Sequence, residues 1–147
     1  MGTTGIYRPP IPSDPRLKAA GAGMRRIRTS RADVSWLQGP GPCDLWTWHD
    51  DQGAIKEQEL TFFGRTVVLK GAKLHSGLSH ESGGGVMGKT GLLDFDTNLD
   101  AETLIAAYKV LEAIAGASRL PEVDSLQKSV AAELAARGVP LPPPPSP

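Results

Sequence analysis

The sequence predicts an α+β domain in which an antiparallel β-meander of four to five strands packs on a C-terminal two-helix hairpin, between flexible termini. Three observations carry this prediction. From Leu45 to Leu78 short alternating runs are separated by turn residues, which is the signature of strands joined by tight connections. Beyond Asp100 the apolar residues recur at helical spacing in two stretches, each closed by a glycine. Prolines concentrate at both ends, where no apolar period is present.

Taken in order, residues 1–23 hold Pro9, Pro10, Pro12 and Pro15 among scattered glycines and read as a flexible leader. Thr29 to Gly39 is expected to form a short helix, capped by Thr29 or Ser30, with Val34 and Leu37 turned inward. Leu45 to Asp50 alternates Trp46 and Trp48 against Leu45, Thr47 and His49, and Asp50-Asp51-Gln52-Gly53 makes the turn. Ile55 to Phe63 returns, Gly64 turns again, and Arg65 to Lys70 puts Val67 and Leu69 on one face. A turn at Lys70-Gly71-Ala72 leads into Leu74-Ser76-Leu78, whose other face holds Lys73, His75 and Ser79. A fifth strand is expected from Leu92 to Asp96. The helices run from about Asp100 to Ala115 and from Pro121 to Gly138, with Leu104, Tyr108, Leu111 and then Val123, Leu126, Val130, Leu134 as their inward stripes. Residues 1–42 thus form a basic, mostly flexible arm, 43–138 the folded domain and 139–147 a proline-rich tail. So small a folded part leaves room for support from a partner or from homo-oligomerisation.

The whole chain is 147 residues, 39% apolar and 22% charged, which is the balance of a soluble globular protein. Cys43 is the single cysteine, so a disulfide framework is excluded and a reducing cytoplasm is the expected setting. No apolar run has the length of a membrane span. Net charge is zero but divided. Residues 1–42 carry seven basic side chains (Arg8, Arg16, Lys18, Arg25, Arg26, Arg28, Arg31) against Asp14 and Asp33, leaving an excess of acid on the remainder.

Gly83-Gly84-Gly85-Val86-Met87-Gly88-Lys89-Thr90 satisfies GxxxxGK(S/T), the loop that cradles phosphate at a helix N-terminus. Here Gly91-Leu92-Leu93-Asp94-Phe95-Asp96 follows and reads as a strand, so Gly83, Gly88, Lys89 and Thr90 lack the helix this chemistry requires. Asp94-Phe95-Asp96-Thr97-Asn98-Leu99 resembles the nucleophile strand of haloacid-dehalogenase-type phosphatases. The resemblance implies Asp94 as nucleophile and Asp96 as acid and base, although Thr97-Asn98 replaces the Gly-Thr pair of that family. The same acids alternate as in a calcium loop, but Leu99 stands where glycine is needed and Ile105 where the closing glutamate is needed. His49, His75 and His80 have no ligand-type spacing.

The residues best suited to an interaction surface are Trp46 and Trp48, because tryptophan concentrates binding energy at protein interfaces. Two placements stay open for them, beneath the helices or exposed. Arg25, Arg26 and Arg28 form the densest basic run, with no aromatic residue beside them to stack bases, which favours an acidic protein surface over nucleic acid. The proline tail suits an aromatic groove but has no arginine close by on its C-terminal side. The expected function is a non-catalytic cytoplasmic adaptor or regulatory protein acting through protein–protein interaction, without a cofactor; the reading leans against an enzyme. The alternatives are a phosphate-handling enzyme or nucleotide binder using the 83–90 loop with Asp94 and Asp96, and a nucleic-acid binder led by the basic arm.

Overall fold

The computed structural model describes residues 9–40, 43–80, 92–118 and 120–141. The order of elements is α1 (Asp14–Ala22), β1 (Arg25–Ile27), β2 (Val34–Gln38), β3 (Cys43–His49), β4 (Ile55–Phe62), β5 (Arg65–Lys70), β6 (Lys73–His80), β7 (Leu92–Phe95), α2 (Ala101–Ala117) and α3 (Pro121–Ala136). The α+β class, the antiparallel meander and the C-terminal helix pair stand as expected. The sheet is larger than expected, with seven strands in the sequential order β1 to β7, each antiparallel to its neighbours.

Both additional strands come from the segment read as an arm. Val34 to Gln38 is a strand and not part of a helix, paired with β3 so that Trp36 lies opposite Trp46 and Leu37 opposite Leu45. Val34 and Leu37 fit a helical period, but Val-Ser-Trp-Leu also alternates, and pairing with a buried neighbour decides between them. Thr29, expected as a helix cap, uses its hydroxyl to donate to the carbonyls of Arg31 and Val34 at 2.8 and 3.1 Å, closing the β1–β2 connection. Residues 14–22 of the expected leader form α1, with Leu17, Ala20 and Gly21 buried. Leu17 is the one large apolar residue on this face, and the rest of it is built from small residues. A Cβ at Gly21 would lie 2.4 Å from the Val110 carbonyl oxygen and 2.8 Å from Ala113 Cβ, so glycine here is a contact surface that lets α1 touch the backbone of α2.

The turns follow the residues that predicted them. Asp50 Oδ1 accepts from the amides of Gln52 and Ala54 at 2.8 and 3.0 Å. Phe63 and Gly64 both have positive φ, 51° and 84°, the requirement of a two-residue type I′ hairpin. One face of the sheet, with Leu37, Cys43, Leu45, Leu60, Phe62, Val67, Leu69 and Leu74, joins Leu17 of α1, Leu104, Val110, Leu111 and Ile114 of α2 and Val123, Leu126, Val130 and Leu134 of α3 in the main core. No described helix is long and apolar enough to cross a membrane.

Candidate interaction surface

Because side chains alternate along a strand, Val34, Trp36, Trp46 and Trp48 emerge on the face opposite the helices, where they form a separate cluster. Trp36 and Trp46 stack across the β2–β3 pair with ring centroids 4.5 Å apart and planes 10° apart, and Trp48 continues the stack at 6.3 Å. Trp46 and Trp48 are only 5% and 8% exposed, so neither of the two expected placements holds. They are buried on the face opposite the helices, in a cluster with Val34 and Trp36. Trp36, which sequence reasoning left inside a helix, completes the ladder; its signal was the alternation of Val34 and Trp36. Its indole N–H donates to Asp44 Oδ1 at 2.8 Å, whereas the buried Trp46 indole N–H finds no acceptor among the described residues.

Arg25 and Arg26 lie on β1, an outermost strand, and Arg28 follows it; all three side chains are exposed. Register places Arg25 opposite Gln38, Arg26 opposite Leu37 and Ile27 opposite Trp36. Arg26 therefore points to the helix side, where its guanidinium meets Glu122 of α3 at 2.8 Å, while Ile27 rests on the tryptophan side. Glu122 sits in the first turn of α3, a position that favours its charge. The basic run is thus partly anchored: among the described residues Arg26 holds one carboxylate, and Arg25 and Arg28 hold none.

Arg65, absent from the sequence-based candidates, is a buried cation that ties three segments together. It donates to the Pro9 carbonyl at 2.7 and 3.0 Å, to Thr103 Oγ1 at 2.9 Å and to Asp100 Oδ2 at 3.2 Å. Asp100 in turn caps α2, accepting from the Thr103 amide at 3.0 Å. Nothing in a lone arginine at the start of a strand announces this role, because its partners are distant in sequence.

Gly83, Gly88, Lys89 and Thr90 lie outside the described residues, as does the Asp94 side chain. The backbone after the loop is nonetheless strand β7, antiparallel to β6. Asp96 accepts from Ser76 Oγ at 2.7 Å, and the same Ser76 oxygen accepts from the Asp100 amide at 2.9 Å, so Asp96 belongs to the junction before α2. Among the described residues no three His, Cys, Asp or Glu side chains assemble into a cation cage. His49 lies near Ser35 Oγ and the Gly53 carbonyl, and His75 lies against Phe95 with ring centroids 5.6 Å apart, on a different part of the sheet. Burial pushes the Cys43 thiol up to about 12, with the charge of Asp44 adding to the effect, which removes it as a nucleophile.

A groove of about 320 Å³ between α1 and α2 is lined by Lys18, Ala22, Lys109, Glu112, Ala113, Gly116 and Ala117. Lys109 is bonded to Asp14 at 2.8 Å, which lowers the Asp14 carboxyl, and burial raises the Glu112 carboxyl while Lys18 opposes that rise. Its charges are matched within the molecule. Compared with protein-family models, curated proteins and solved structures, the chain matches none.

Proposed function

We propose that the chain is a non-catalytic cytoplasmic adaptor or regulatory protein whose contact with a protein partner centres on Arg25, Arg26 and Arg28. The observation that supports this reading is the outermost strand β1 bearing, with Arg28 just after it, three exposed arginines, of which among the described residues only Arg26 is held by a carboxylate. Guanidinium groups on a fixed strand present planar donors in a fixed direction, the arrangement that suits carboxylates. The tryptophans serve this surface from behind. Trp36 lies opposite Ile27 and stacks on Trp46, which stiffens the β2–β3 pair on which β1 is laid. A reducing compartment agrees with a buried, unpaired Cys43.

The test compares capture from cell extract on the wild-type chain and on Arg25→Glu/Arg28→Glu, two side chains with no partner among the described residues. A protein retained by the first, released by salt and absent from the second, supports the reading. Identical captured proteins on both, with the variant melting as the wild type does, would show that the arginine edge is not the surface.

A further inference from the structure

Resting on that reading, we infer that β1 receives its partner as an eighth strand: an extended acidic segment paired antiparallel along Arg25–Ile27. Two independent features lead there. The first is backbone. Among the described residues β1 pairs with β2 alone, and in an antiparallel ladder alternate residues turn their N–H and C=O groups away from the neighbour. Among the described residues, 25–28 make no backbone hydrogen bond outside that ladder, so these groups remain for an incoming strand. Neither a proline nor a bulge breaks the edge.

The second feature is charge, and it fixes which segment fits. Residues directly opposite in a sheet share a face. An incoming strand would therefore set one acidic residue against Arg25 on the tryptophan side, one against Arg26 on the helix side and an apolar residue against Ile27. Read antiparallel, the complement of Ile27, Arg26 and Arg25 is apolar-acidic-acidic, and an acidic residue before it would meet Arg28. The same arginines repel another copy of β1 and leave apolar edges unfavoured, so the charge that guards the edge also selects its occupant. Arg26 needs no release from Glu122, since a guanidinium has donors for two carboxylates.

The probe is the acetylated, amidated peptide Thr-Glu-Val-Glu-Glu-Thr-Val-Thr carrying a fluorophore, measured by anisotropy at low salt against the full chain. Hydrogen exchange reads the amides of residues 25–28. Its control is the same peptide N-methylated at the two consecutive glutamates; because N–H direction alternates, one blocked group must face β1. The inference expects binding with slowed exchange at residues 25–28. It also expects a loss of about tenfold or more in the N-methylated peptide and again in Arg25→Glu/Arg28→Glu. No binding, or protection elsewhere, overturns it. Equal affinity for the N-methylated peptide overturns strand addition while leaving the arginine surface of the proposed function standing. Displacement of the peptide by random duplex DNA at lower concentration would make the edge a phosphate site and also overturn it.

Discussion

The two faces of the sheet carry separate buried clusters of different make-up. Leu45, Leu60, Phe62 and Val67 are covered by three helices and share one continuous core with them. Trp36, Trp46 and Trp48 pack with Val34 in a separate cluster that, among the described residues, contains no helical residue. On the first face, burial is a matter of layers, and each side chain fits into space defined by α1, α2 and α3. On the second, the packing is lateral, with rings stacked along two neighbouring strands. Truncation should therefore be severe on the first face, while on the second the outcome should turn on which hydrogen bond is lost.

The largest expected effect is on the helix side. Phe62→Ala or Leu111→Ala removes a fully buried side chain from between layers, and each should cost roughly 3–5 kcal/mol, a large part of the stability of so small a domain. Urea denaturation measures this. A cost under 1 kcal/mol in either variant would mean that the helices do not close on the sheet as described.

Arg65 comes next, at the seam between the helix face and the N-terminal segment. Arg65→Met keeps much of the side-chain volume but leaves the Pro9 carbonyl and part of Asp100 without their donor, and should cost about 2–4 kcal/mol. Asp100→Asn keeps an oxygen for the Thr103 amide and should cost less. If Arg65→Met melts as the wild type does, the clamp on residue 9 contributes nothing.

Legibility in the sequence divides along the same line. The meander from β3 to β6 and both C-terminal helices were readable because alternation, turn residues and helical period are local. The stripes Leu104, Leu111 and Val123, Leu126, Val130, Leu134 proved to be the buried ones. What escaped depends on partners far away. Residues 34–38 satisfy both periods, and only the apposition of Trp36 to Trp46 selects the strand. α1 was hidden because its inner face has a single large apolar residue, Leu17, beside Ala20 and Gly21, which carry little hydrophobic signal; Gly21 fits closely against Val110 and Ala113. Of the candidate site, the arginine run was readable as composition; that it forms a sheet edge, with Arg26 tethered to Glu122, was not.

A smaller effect concerns Cys43, which belongs to the helix face beside Leu45. Its thiol is raised from an ordinary 9.0 to about 12 by burial first, so below pH 9 the folded and unfolded chains both keep the proton. Between about 9 and 12 the unfolded chain releases it and the folded chain does not, so stability falls as pH rises. Over that window the loss should approach about 1.4 kcal/mol per pH unit. The measurable quantity is the difference in slope between wild type and Cys43→Ala from pH 9 to 11, since other groups titrate equally in both. Native Cys43 should also resist iodoacetamide at pH 8, and rapid labelling without unfolding would contradict its burial.

The smallest effect tests the lateral face, and it reverses the usual rule that the more buried residue is the costlier to change. Trp36 is the more exposed of the stacked pair, yet its indole N–H donates to Asp44 at 2.8 Å, whereas the N–H of Trp46 is buried without an acceptor among the described residues. Trp36→Phe loses a hydrogen bond to a carboxylate and should cost about 1–2 kcal/mol. Trp46→Phe loses apolar area and leaves a gap, but it also deletes an unpaired donor whose burial costs about 1–3 kcal/mol, so the two changes nearly offset. Phenylalanine still stacks on Trp36, and the expected net change is within about 0.5 kcal/mol of zero. Measured by urea denaturation under one set of conditions, Trp46→Phe should be the milder variant. The reverse order, with Trp46→Phe costing more than Trp36→Phe, would show that the Trp46 N–H is satisfied in solution and that the lateral face is held by that bond as well as by stacking.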